Sequence, residues 1–320
     1  MGAFASGLTR TAQRFGGVVL IALLGAAAVF FALRAGQGDP ALAALGDQAT
    51  PEAVAAFRAR WRLDDPLALQ FGRWLAGAAT GDFGASMVIA SGEPIAQLIA
   101  SRLPNTLFIG AYALALAISI SLTAGVVAAL RHGRFVDGAA TSAAVLGISM
   151  PDFWLSYVLI YALALGLGLF PSYGFTAPSA SFAGALYSGF LPALAIAAPM
   201  AAAFTRMLRT ALLETLHRDH VRVARSLGHG ERFVFVHHVF RNALIPYVTV
   251  IGLQVRYLLG GTVVVERIFG VNGLGSLMVD AAFARDYPLV QACALVFLVC
   301  VLIVNFAVDL VCAQLDPRRA

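Results

Sequence analysis

Between Leu103 and Leu130 the chain runs for 28 residues without one charged side chain. As an α-helix that run would be about 42 Å long, at ~1.5 Å per residue. A hydrocarbon layer about 30 Å thick needs only about 20 such residues. In lipid, only helices and closed barrels keep every backbone N–H and C=O paired, so a run this long points to an all-α membrane protein. Composition agrees: 60% of the residues are hydrophobic and 12% charged, against about 25% charged in ordinary soluble domains.

Five more segments read as spans: Phe15–Leu33, about Ala139 to Phe170 past Pro151 and Asp152, Phe190–Thr205, Ala243–Val265 and Leu289–Val308. The first is too long for a signal-peptide apolar region and lacks a clear small-residue cleavage site, so it reads as retained. The chain thus divides into 1–34 with the first span, a polar outer segment 35–102, and a five-helix core 103–320. In the outer segment Thr50, Pro51 and Glu52 supply a cap, a first-turn proline and a dipole-matched acid, and "GRWLAG" at 72–77 is amphipathic enough to lie on a membrane surface. Pro, Gly and Ser mark 171–190 as a loop.

Six spans put both termini on one side. Arg10, Arg14, Arg131, Arg134, the seven arginines of 206–241, Arg318 and Arg319 share that side, while the opposite short loops carry only Arg267 and Arg285. The positive-inside rule makes the shared side cytoplasmic.

Several functions are excluded by what is missing. All 22 basic residues are arginine, and a P-loop needs a lysine, so ATP chemistry has no seat here. The glycine-rich run 258–275 lacks that lysine too, and Gly260 and Gly261 read as close helix-packing positions. Cys293, Cys300 and Cys312 share one apolar segment, as small hydrophobes do. His217, His220, His229, His237 and His238 lack a full ligand set, so no metal is expected. The positive charge lies in short loops beside spans, where orientation rather than nucleic acid accounts for it. No Ser-His or paired-aspartate arrangement occurs in the spans, so no catalytic residue is expected.

Between the fourth and fifth spans lies "RMLRTALLETLHRDHVRVARSLGHGERFVFVHHVFRNALIP" (206–246). Its run Thr210–Leu227 has helical spacing, with Leu213, Leu216, His220, Val223 and Leu227 on one face and Arg218, Arg222 and Arg225 on another. Glu214 stands four residues before Arg218, as an ion pair would, and Gly228 follows as a helix stop. Two readings fit: an interfacial helix whose arginines meet lipid phosphates, or a docking helix for a soluble partner.

The words of this loop resemble the cytoplasmic coupling loop of ABC-transporter permeases of the dipeptide, oligopeptide and nickel importer branch. "GDPALAALG" (38–46), "RLPNTL" (102–107), "GISMPDFW" (147–154), "ARDYPLVQ" (284–291) and "LDPR" (315–318) stand where that family has similar words. The resemblance implies a type I importer permease fold with six transmembrane helices and alternating access for peptides or a related small solute, nickel included. It also implies a bacterial plasma (inner) membrane location, a second homologous permease, two ATPase subunits holding ATP and Mg, and an extracytoplasmic substrate-binding protein. Glu214, Asp219, Arg222, Ala224, Arg225 and Gly228 would form the ATPase-coupling helix. The chain departs from the pattern at Asn272, where proline is usual, and at His220 and Leu227, where tyrosine and lysine are usual.

Two charges fall inside spans. Asp152 and Arg256 lie about fourteen and thirteen residues in, near mid-bilayer on straight helices, where a charge costs about 2.5–3.5 kcal/mol. Either they pair and fix packing, or they line a path and meet the charged ends of a peptide-like solute. The rival to an ATP-driven importer is an ion-coupled secondary transporter, which would show internal repeats and several intramembrane acids; no repeat is seen, and chiefly Asp152 is such an acid. An intramembrane enzyme and a passive channel or scaffold are further alternatives.

Overall fold

The computed structural model describes the backbone of residues 2–35 and 39–315, and the side chains of 16–17, 19–35, 39–42, 44–255, 258 and 260–308. Along the chain run α1 (Gly2–Ala35), α2 (Pro40–Leu45), α3 (Pro51–Trp61), α4 (Leu67–Ala79), α5 (Ile95–Leu130), α6 (Phe135–Ser149) and α7 (Asp152–Leu159).

 The order continues with α8 (Phe182–Leu216), α9 (Asp219–Ser226), α10 (Glu231–Phe233), α11 (Arg241–Phe269), α12 (Leu274–Phe283) and α13 (Tyr287–Leu315). π-helical turns follow α7 at Ile160–Gly166 and α10 at Val234–Phe240. Among the described residues, four helices are long and apolar enough to cross a membrane, and up to six spans result if each of two bent helix pairs counts as one.

The chain forms two compact units, 1–104 with 273–303 and 105–272 with 304–320. In the first, Phe30 of α1 is buried and meets Phe71 and Trp74 of α4 at ring-centroid distances of 5.2 and 6.1 Å. The "GRWLAG" piece therefore spends its aromatic face on α1. Asp39 caps α2 through Ala41 N–H at 2.9 Å and also accepts from Arg58 of α3, while Thr50 caps α3 through Ala53 N–H. The core of this unit gathers Ile95, Ile99, Leu274, Leu277, Leu289 and Cys293.

The second unit is built on small residues. Ala113 and Ala117 of α5 and Ala193, Ala197 and Ala201 of α8 are all buried, which lets helices approach closely where lipid supplies no hydrophobic drive. A Cβ on Gly125 would stand 3.1 Å from Leu208, and one on Gly147 would stand 3.0 Å from Ala202. Asn105 Nδ2 donates to the Asn272 carbonyl at 2.8 Å, and Thr106 Oγ1 donates to Glu266 at 2.6 Å, joining the start of this part of α5 to the end of α11.

The third predicted span is not straight. Its two halves, Phe135–Ser149 and Asp152–Gly166, are bent by 112°. Pro151 has no N–H to continue the ladder and pushes the residue before it out of the helical region; Met150 accordingly has φ −90° and ψ 125°. A depth for Asp152 counted along an unbroken helix does not hold. The fourth helix also exceeds its prediction, starting at Phe182 inside the expected loop and continuing to Leu216.

Candidate functional site

The helix predicted over Thr210–Leu227 is two helices. α8 ends at Leu216, where the His217 Nδ1–H donates to the Leu213 carbonyl at 2.7 Å. Arg218 is extended, and α9 starts afresh at Asp219. This break shifts the helical phase, so the predicted stripe does not run as one face: Leu213 and Leu216 are half-buried on α8, whereas Val223 of α9 and Leu227 at its end are exposed. Val221 and Ala224 are the buried pair of α9, at 0% and 4% exposure. Val223 and Leu227 face outward, at 56% and 71% exposure. Glu214 stays on the last turn of α8, exposed and outside α9, and no ion pair joins it to Arg218 among the described residues.

α9 is short but well terminated. Asp219 lies in its first turn and Arg225 in its last, each matched to the helix dipole. Arg222 and Asp219 form a loose exposed pair at 3.7 Å. Gly228 has φ +80°, a left-handed stop that glycine adopts without a Cβ clash. Arg225 then braces α9 to α10, its Nε and Nη2 donating to the two Glu231 carboxylate oxygens at 3.0 and 3.2 Å. Behind this pair lies a groove of about 450 Å³ with Leu130, Leu216, Phe235 and Val239 in its lining. The outward surface of α9 is thus a fixed patch of two apolar side chains among charged ones.

The histidines of this loop are used locally. The His229, Phe233 and His237 rings stack in series at 4.8 and 4.3 Å. Among the described residues no group of three or more His, Cys, Asp or Glu is placed to hold a metal ion.

A charge cluster that sequence reasoning missed supports the end of α8. Asp137, 4% exposed, accepts from Arg209 Nε and Nη2 at 2.5 and 2.8 Å and from Gly133 N–H at 3.0 Å. His132 Nδ1 stands 2.9 Å from the same carboxylate. Charge counting uses only Arg131 and Arg134 of this stretch. The signal was there in an acid five residues after a histidine, but its partner lies 72 positions away.

Asp152 is the first residue of α7 and lines a recess of about 250 Å³ with Gln254 and Gly261 of α11. A Cβ on Gly261 would stand 3.2 Å from Asp152 Oδ2, whereas one on Gly260 would meet nothing within 4 Å. Close approach at this glycine pair is therefore to a carboxylate at Gly261, with Gly260 open. Arg256 lies on α11, and its side chain is outside the described residues.

Comparison with known proteins gives consistent matches. Residues 121–320 match the family described as binding-protein-dependent transport system inner membrane component, and residues 8–110 match the N-terminal family of such components. The oligopeptide transport system permease protein AppB of Bacillus subtilis (strain 168) is 36% identical over 90% of this chain and 92% of its own. The glutathione transport system permease protein GsiC of Escherichia coli (strain K12) is 37% identical over 90% of this chain and 91% of its own. Among solved structures, an amino acid ABC transporter solved with histidines aligns at TM-score 0.54 and 16% identity, over 68% of this chain and 94% of that one. The MetNI methionine ABC transporter in an inward-facing form aligns at TM-score 0.52 and 16% identity, over 69% and 97%.

Proposed function

The chain belongs to the binding-protein-dependent transport system inner membrane components, and from that premise we propose that it is a peptide-importing permease driven through α9. As a multi-pass permease subunit of an ABC importer it is not itself an enzyme; ATP hydrolysis belongs to separate subunits. Its partners include those ATPase subunits and a substrate-binding protein. The finer reading is ours: one second, homologous permease, two ATPase subunits, and both termini on the cytoplasmic side with the 206–241 loop.

The observation that carries the coupling role is the division of α9 into two faces. Val221 and Ala224 anchor it to the permease, and Val223 and Leu227 are left exposed beside Arg222. A helix held on one side and apolar on the other can pass a push from a partner into α8 and α11. Asp219, Arg222, Arg225 and Gly228 shape that contact, Ala224 anchors it, and Glu214 lies at its edge. ATP-driven approach of the ATPase subunits would then favour one access state of the permease, and loss of nucleotide the other.

Names of the relatives, which include oligopeptide and glutathione permeases, favour peptides over nickel as the solute. The test is uptake of labelled tri-alanine by cells carrying the full transporter, with ATP depleted or the proton gradient collapsed separately. Uptake that needs ATP, and that Val223→Asp abolishes, is expected. Uptake that follows the ion gradient instead would overturn the reading in favour of a secondary transporter.

A further inference from the structure

We propose that the recess between Asp152 and Gln254 is a cation-accepting subsite, filled by the ammonium group of the solute as it crosses. This rests on the permease reading above and specifies what one wall of the path recognises. Gln254, Leu258 and Gly261 follow at helical spacing on α11 and present one stripe to the recess, whose opposite lining includes Met200 and Ala203 of α8. Most of the described lining is apolar, and Asp152 is the one charged residue among the described residues that line it.

The state of the Asp152 carboxylate sets it apart. Asp137, Glu266 and Asp286 each accept hydrogen bonds from neighbouring groups. Asp152 uses its backbone carbonyl for the Ser156 hydroxyl at 2.8 Å, but no described residue donates to its carboxylate. A partly buried carboxylate with no counter-charge among the described residues is costly, and a cation entering the recess relieves that cost. Gly261 keeps the approach open, since a Cβ there would stand 3.2 Å from Oδ2. Gln254 adds an amide that can both donate and accept, as needed beside the first peptide group. At about 250 Å³ the recess has room for the amino-terminal residue of a peptide.

The test uses Ala203→Cys as a reporter, which leaves Asp152 and Gln254 in place, in the full chain with Cys293, Cys300 and Cys312 changed to alanine. In membrane vesicles with the partner subunits present, its modification is timed with cationic aminoethyl and anionic sulfonatoethyl methanethiosulfonate. The cationic reagent is expected to react faster, with Asp152→Asn lowering the rate ratio about tenfold. Methylammonium and tri-alanine should protect the cysteine, and N-acetyl-tri-alanine should not. A ratio indifferent to Asp152→Asn overturns the subsite. So does silence toward both reagents, failure of methylammonium to protect, or a cation preference that emerges only after Arg256→Gln frees the carboxylate. Failure of the peptide reading looks different: methylammonium protects and Asp152 governs the ratio, but neither tripeptide has any effect.

Discussion

Asp286 binds Ser86 from 200 residues away in sequence: the Ser86 hydroxyl donates to its Oδ2 at 2.5 Å. The backbone N–H groups of Met87, Val88 and Ile89 donate to the same carboxylate at 3.0–3.2 Å. Both residues are fully buried. The turn containing Ser86 thus folds around one anion, and Arg285 takes a left-handed φ of +57° immediately before it. Asp286→Ala would leave one hydroxyl and four N–H groups, that of Leu289 at 3.4 Å included, without their acceptor. At about 1–3 kcal/mol for each buried group left unpaired, with partial relief by water, a loss of about 3 kcal/mol or more is expected. Thermal unfolding in detergent should fall accordingly, and limited proteolysis should open the chain near 86–94 first. Unchanged proteolysis there would mean that the turn holds itself.

Asp137 and Arg209 permit a cleaner separation of cost from benefit. Arg209→Leu leaves a carboxylate that is 4% exposed with only Gly133 and His132 beside it. Stranding one member of a buried pair costs about 3–5 kcal/mol, and the remaining donors place this case at the low end. Pairing Arg209→Leu with Asp137→Leu should recover part of the loss, because no charge is then stranded. The check is a double-mutant cycle on thermal stability, where simple additivity would show that the two side chains do not act as a unit.

How far sequence went depends on the range of the interaction. Runs such as Leu103–Leu130 declare their helices because 28 uncharged residues in sequence have no other stable state in lipid. Thr50 and Pro51 declare a helix start because capping is local, and Thr50 does cap Ala53. The two-residue break at His217–Arg218 was not legible, since the residues on both sides are good helix formers and periodicity passes through unbroken. Its consequence is large: the predicted stripe divides into a half-buried part on α8 and an exposed part on α9. The fixed α9 face, the Asp137–Arg209 brace and the Asp152–Gln254 recess all join residues from distant segments, and no spacing rule reports them. Pro151 lies between these cases. Its chemistry marked a weak point, but the 112° bend needs the packing of α7 as well.

The outward face of α9 should separate coupling from folding. Val223 and Leu227 are mostly exposed, so Val223→Asp and Leu227→Asp should change permease stability by less than about 0.5 kcal/mol. Val221→Asp, by contrast, places a charge at a fully buried position and should destabilise the loop. If α9 is where the ATPase subunits bind, the two outward changes will lose co-purification with them while melting normally. Retained co-purification in both would move the contact elsewhere.

Gly228 sharpens that assignment because its role is conformational. Its φ of +80° lies where a Cβ costs roughly 1–2 kcal/mol, and a Cβ there would meet no other atom within 4 Å. Gly228→Ala therefore carries a backbone cost without a steric one. The Gly228 N–H donates to the Arg225 carbonyl at 3.0 Å, so relaxation of the turn would pull on the end of α9 and loosen the Arg225–Glu231 brace. Stability should drop by about 1 kcal/mol, on the scale of left-handed strain. Substrate-stimulated ATP hydrolysis by the assembled transporter should drop more than the binding of its subunits. Gly228→Asn, which tolerates the left-handed region better than alanine, should restore part of both. Equal defects in alanine and asparagine variants would instead point to a requirement for bare backbone at the partner surface.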